Sequence, residues 1–141
     1  MSQHQINNIE GEAYDFNRVQ SLKLNNFRSY DILECTFEGC SVVLLGPNGS
    51  GKTNILESLS LLSPGRGLRR APLEQFRNFK GPLEWGINAK VLSNNSSYKI
   101  STGIPAGRIK GREVRINDKK VFASKSLPEI ISVSWLTPSM D

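Results

Sequence analysis

A chain of 141 residues with 38% hydrophobic and 22% charged side chains is one domain, or part of a larger one, able to bury about two thirds of its unfolded surface. No apolar run approaches the roughly 20 residues of a membrane span, and the polar, acidic first twenty residues (Glu10, Glu12, Asp15) form no signal peptide. Cys35 and Cys40 could form a disulfide, but without a secretion signal they are expected as reduced thiols of a cytoplasmic protein.

The net charge of +5 is unevenly spread. Residues 1–60 carry four Lys/Arg against seven acids, net −3, whereas residues 61–141 carry fourteen against six, net +8. Such an asymmetry suggests a polyanion partner for the second half; the alternative is a solvated basic face.

Residues 1–17 show no periodic pattern and are expected as a flexible tail, with residues 18–141 forming the folded part. His4, the one histidine, lies in that tail and is given no role. From Val19 the pattern turns strand-like, with Leu22 and Leu24 alternating with Ser21 and Lys23 before an Asn25-Asn26 turn. Residues 33–38 alternate cleanly and read as a half-buried strand, close enough to the first to pair antiparallel. Residues 42–45 are apolar on both faces, as in a central strand of a parallel sheet.

That strand runs straight into Gly46-Pro47-Asn48-Gly49-Ser50-Gly51-Lys52-Thr53. A helical pattern follows over residues 52–62, with Ile55, Leu56, Leu59 and Leu62 on one face and Glu57, Ser58 and Ser60 on the other. Strand, glycine loop and helix is the context in which G-x-x-x-x-G-K-[ST] binds phosphate. The glycines let the backbone approach an oxyanion, and successive N–H groups can form an anion-holding nest. The helix start adds unpaired donors and a positive dipole end. Lys52 supplies a charge for the outer phosphates, and the Thr53 hydroxyl is placed to ligate Mg²⁺. Gly46 to Thr53 are therefore the candidate nucleotide-binding residues, against the plain alternative of a glycine-rich turn before a core helix.

Beyond the Ser63-Pro64-Gly65 stop, Arg66, Arg69 and Arg70 form a basic segment, and Pro72 starts a short helix through Leu73 and Phe76. Trp85, Ile87, Ala89 and Val91 alternate in a strand that turns at Asn94-Asn95-Ser96 and returns through Tyr98 and Ile100. A second hairpin is expected around Asn117-Asp118, between residues 113–116 and 121–122. Ser126 is expected to cap a short helix, residues 133–136 to form a strand, and Thr137 to cap a further helix.

The stretch Leu24-Asn25-Asn26-Phe27-Arg28-Ser29-Tyr30, read with the glycine loop some twenty residues later, resembles the start of a head domain in the SMC/RecF branch of ABC-type ATPases. Residues 61–69 (LLSPGRGLR), the hairpin around residues 114–120 and the closing WLTPSMD are similar to the RecF family within that branch, so the resemblance spans roughly residues 19–141. It implies an α/β fold of the P-loop NTPase type, lobe I of an ABC-type ATPase head, with a mixed central sheet, antiparallel β hairpins and the lobe incomplete. It also implies ATP and Mg²⁺ as cofactors and a role in DNA replication, repair, recombination and the SOS response. Such a protein binds duplex DNA next to single-strand gaps, forms an ATP-dependent homodimer, works with RecR and RecO type proteins to load recombinase, and has no membrane partner.

Arg28 matches the position that, in this branch, lies near the nucleotide phosphates, and Arg66, Arg69 and Arg70 are candidate DNA contacts. The family's Walker B carboxylates, signature motif and switch histidine lie downstream of the matched region. Residues 130–141 also contain no glutamine of the kind that approaches the metal in the wider superfamily. The expectation is a chain that binds nucleotide but turns it over negligibly. An exposed apolar patch or open sheet edge is expected near the loop helix, where residues 42–45 want a companion strand. The competing readings are a DNA-binding or scaffold module of another SMC-like protein with nucleotide as a switch only, and a small-molecule kinase. The two strands preceding the loop speak against the kinase.

Overall fold

The computed structural model describes residues 5–9, 17–39, 41–108 and 111–136, the first of these segments in its backbone alone. Strand β1 (Gln5–Ile9) pairs antiparallel with β4 (Ser41–Leu45) in a two-stranded sheet. The other strands, β2 (Arg18–Phe27), β3 (Tyr30–Thr36), β5 (Trp85–Ser93), β6 (Ser96–Ile104), β7 (Glu113–Ile116) and β8 (Lys119–Val121), form a six-stranded sheet in the order β3-β2-β5-β6-β7-β8. All its neighbours are antiparallel. Helices α1 (Lys52–Ser60) and α2 (Ala123–Ile130) and a 3-10 turn at Leu73–Phe76 complete the described elements.

The alternation in the sequence translates directly into two sheet faces. Leu22 and Leu24 of β2, Ile87, Ala89 and Val91 of β5, and Ile100 of β6 point into one core with Ile55 of α1, Leu127 of α2, and Leu61 and Leu62 just beyond α1. Lys23, Lys90 and Lys99 stand on the opposite, exposed face. Phe27 and Phe76 stack with ring centroids 5.7 Å apart, and Trp85 meets both edge-on. The Trp85 indole finds its hydrogen bond on the Leu73 carbonyl at 2.8 Å, so this buried aromatic group leaves no polar atom stranded. The Ser93 hydroxyl donates to the Ile130 carbonyl at 2.5 Å and fastens the end of α2 to β5.

Several expectations are corrected. Within residues 1–17, read as a flexible tail, Gln5–Ile9 form a strand; Phe16 and His4 lie outside the described residues. The first turn falls at Arg28-Ser29 rather than Asn25-Asn26, because β2 continues to Phe27. The second helix starts at Ala123 with no side-chain cap, so Ser126 is inside it rather than capping it. Residues 133–136 pair with no described strand and form none. Residues 137–141 lie outside the described residues, as does Cys40; Cys35 is a buried free thiol. Among the described residues no helix is long and apolar enough to cross a membrane.

The central position expected for residues 42–45 is also corrected. Their one partner among the described strands is β1, and Val42, Val43 and Leu45 remain 36%, 40% and 43% exposed. A cleft of about 380 Å³ opens between β4, α1 and residues 131–134, lined by Val42, Leu44, Leu56 and Leu59 among others. The expected apolar patch is therefore present beside the loop helix. An open strand edge next to apolar side chains templates pairing with another chain, so the apparent mass in gel filtration should rise with protein concentration. Val43→Lys should suppress that rise; a strictly monomeric parent chain at all concentrations would contradict this.

Candidate functional site

The glycine loop leaves β4 and stays exposed from Gly46 to Gly49 before α1 begins at Lys52. It is neither helical nor covered. Gly51 is the hinge, with φ near 95° at the helix N-cap. A Cβ there would lie 2.6 Å from the Tyr30 hydroxyl and 2.9 Å from Ser29 Oγ, so both space and conformation demand glycine. Tyr30 donates to the Gly51 carbonyl at 3.1 Å. Burial, with Cys35 adding to it, pushes the Tyr30 pKa up to about 12, which keeps the phenol a neutral donor.

The first helical bond runs from the Ile55 N–H to the Gly51 carbonyl at 3.2 Å. The N–H groups of residues 52–54 therefore have no intrahelical acceptor. No side chain caps this end and its first turn holds no acid, so the positive dipole end is left available to an anion. Lys52 Nζ lies folded over the loop, donating to the Gly46 carbonyl. A cavity of about 210 Å³ opens here, lined by Asn48, Gly49, Gly51, Lys52, Thr53, Asn54 and Arg69. Thr53 is exposed at its wall.

Behind the cavity stands a charged cluster that the helical pattern placed on the wrong face. Glu57 is fully buried, at 0% exposure, whereas Leu56 is 51% exposed. The carboxylate accepts two bonds from Arg28, from Nε to Oε1 at 2.7 Å and from Nη2 to Oε2 at 3.1 Å. It also accepts from Arg69 Nη1 at 3.3 Å. Arg28 sits at φ 51° in the β2–β3 turn and donates its N–H to the Phe76 carbonyl at 2.7 Å. Its guanidinium lies 5.1 Å from the Phe76 ring centroid. Arg69 also donates to Asn54 Oδ1 at 3.2 Å, while Asn54 Nδ2 donates to Ser29 Oγ at 3.0 Å.

Of the candidate residues, Asn48, Gly49, Gly51, Lys52 and Thr53 thus line one cavity. Arg28 is engaged by Glu57 behind it. The three arginines offered for DNA part company: Arg66 and Arg70 face solvent, and Arg69 turns back to the cavity. Sequence reasoning missed Glu57, Asn54 and the Ser29-Tyr30 pair as neighbours of the loop. The signal was there in part, since an acid on a loop helix sits between two arginine-bearing stretches.

A family model described as "AAA domain" matches residues 21–132. The chain is similar to the DNA replication and repair protein RecF of Mesorhizobium japonicum, 41% identical over 124 residues, covering 87% of this chain and 33% of that protein. The RecF of Agrobacterium fabrum is 42% identical over 125 residues with the same coverage. The chain thus spans about a third of the length of these curated relatives, matching their N-terminal part. Among solved structures it is similar to the recombination mediator protein RecF-ATPrS of the RecFOR pathway, with a TM-score of 0.65 and 25% identity over 82% of this chain and 30% of that one. RecF-ATP of the same pathway matches in fold, with a TM-score of 0.66 and 22% identity over 84% and 31%.

Removing one member of a buried ion pair leaves the remaining charge without compensation. Glu57→Ala is therefore expected to destabilise the chain by about 3 kcal/mol in urea unfolding, and Glu57→Gln by less. A loss within the scatter typical of surface substitutions would show that the cluster is not holding the fold.

Proposed function

From a chain that belongs to the AAA domain family, we propose the ATP-binding part of a RecF-like DNA replication and repair ATPase. The observation that carries this reading is the open loop 46–51, with the uncapped start of α1, the Lys52 ammonium and the Thr53 hydroxyl around one cavity. The arrangement fits a triphosphate: the first N–H groups of α1 are uncapped, its first turn holds no acid, and two cationic side chains, Lys52 and Arg69, line the same cavity. Gly46 to Thr53 hold the phosphates, and the exposed Thr53 hydroxyl is the protein's ligand for Mg²⁺. Mg²⁺, when bound, would be held by Thr53 and would supply charge neutralisation at the phosphates. Arg28 acts from behind the loop.

Turnover needs a carboxylate that orients water. The acid nearest the loop, Glu57, is buried and occupied by two guanidiniums, so this chain binds ATP and hydrolyses it negligibly. The whole protein binds duplex DNA near single-strand gaps, dimerises on ATP, and works with RecR and RecO type proteins in the cytoplasm to load recombinase. Similarity to RecF proteins supports this wider reading.

Two measurements test it. In calorimetry Lys52→Ala is expected to lose ATP binding by at least about tenfold while its circular dichroism is unchanged; equal binding by both proteins would remove the assignment. For DNA, the exposed Arg66 and Arg70 are expected to contact phosphates. Duplex affinity should then fall steeply between about 50 and 200 mM salt, with a shallower slope for Arg66→Ala/Arg70→Ala. A salt-indifferent affinity, or identical slopes, would exclude these two as the contacts.

A further inference from the structure

Arg112 immediately precedes β7 and is not among the residues lining the loop cavity. Its guanidinium is largely buried, yet among the described residues it meets no carboxylate. It donates instead to three main-chain carbonyls: Nη2 to Leu61 at 2.7 Å and Ser63 at 3.0 Å, and Nη1 to Gly65 at 2.8 Å. Burial lowers its pKa to about 10, so it remains cationic near neutral pH. Leu61 is the C-cap of α1, where a helix leaves its last C=O groups unpaired and presents its negative dipole end, and Ser63 and Gly65 lie in the turn just beyond it. An arginine given wholly to backbone acceptors forgoes the stronger bond to a carboxylate; what it secures is the path of the chain.

That path leads back to the cavity. Ser60 Oγ accepts the Leu68 N–H at 2.9 Å while donating to the Glu57 carbonyl at 2.6 Å. Gly67, at φ 73°, packs so closely that a Cβ would lie 2.8 Å from Ser60 Oγ and 3.2 Å from Leu61 Cδ2. Two residues later Arg69 reaches Asn54 and Glu57 and lines the cavity. The return from α1 is thus held from inside by Ser60 and from outside by Arg112.

We propose that Arg112 is a positioning residue for the nucleotide site: by clamping the carbonyls of Leu61, Ser63 and Gly65 it fixes the return loop so that the Arg69 guanidinium stands beside Lys52 and Thr53. The role rests on the nucleotide-binding reading above. Arg112 itself touches no nucleotide; it acts through Arg69.

ATP titrations of the 141-residue chain by calorimetry, paired with thermal unfolding without nucleotide, test it. Arg112→Ala and Arg69→Ala are each expected to weaken ATP binding about tenfold, and the double variant no further than either single one. Arg112→Lys keeps a cation at the helix end but lacks the rigid fork that spans separate acceptors. It is expected to melt close to the parent and still to lose ATP affinity, a split that a purely structural residue would not produce. Where Arg112→Ala fails to fold, Arg112→Lys decides. Folded Arg112 variants that bind ATP like the parent, additive losses in the double variant, or an Arg69→Ala without effect would each overturn the proposal. Lys52→Ala separates the two layers: unchanged ATP binding there defeats the nucleotide site itself. Loss in Lys52→Ala and Arg69→Ala with none in Arg112→Lys defeats only the role of Arg112.

Discussion

A carboxylate with no access to solvent, Glu57, stands between guanidiniums from two other parts of the chain. Taking such charges out of water is expensive and is offset only by close, multiply bonded partners. Arg28 meets that condition with two parallel bonds, and Arg69 adds a third. The β2–β3 turn, the loop helix and the segment beyond it are therefore obliged to meet at one point. Once they do, the orientation of α1 is set, and with it the mouth of the glycine loop one turn earlier. The helix can turn other polar residues inward because they answer to their own backbone: Ser58 and Ser60 donate to the Ile55 and Glu57 carbonyls at 2.6 Å.

This arrangement explains where the sequence was readable and where it was not. Alternation in β5 placed Trp85, Ile87, Ala89 and Val91 inward, since a strand with one buried face has a period of two and little else to satisfy. Asn94-Asn95 and Asn117-Asp118 turn with φ between 49° and 67°, the conformation that favours Asn and Asp in tight hairpins. The strand, glycine loop and helix around residues 41–60 were legible because their signals are local. Helix α1 was legible in its place but not in its buried face: periodicity assigns charged residues to solvent, and only partners distant in sequence reverse that for Glu57. Strand β1 escaped for a different reason. It pairs with β4 through main-chain groups, which do not depend on side-chain pattern. Residues 133–136 have strand-forming side chains but no neighbouring strand among the described residues, and an unpaired segment is not a sheet.

The excess of positive charge in the second half divides by chemistry rather than forming one surface. Arginine carries a planar fork that serves several acceptors at once, whereas lysine is a hydrated point charge on a flexible stem. Accordingly Arg69, Arg77 and Arg112 are used for internal contacts, with Arg77 donating to the Gly81 carbonyl and lying 5.2 Å from the Phe79 ring centroid. Lysines collect on the open face of the six-stranded sheet, where Lys90 stands directly opposite Lys99 on the neighbouring strand. Like charges so paired cost stability, and the nearby acids offset only part of that: Asp118 meets Lys99 at 3.2 Å and Glu34 meets Lys23 at 2.8 Å. Net charge counted along the chain thus overstates what any single partner would meet, because the arginines nearest the loop are engaged inside the molecule. Among the described residues the lysines of the sheet, together with Arg66 and Arg70, stay exposed, whereas Arg69 and Lys52 line the loop cavity.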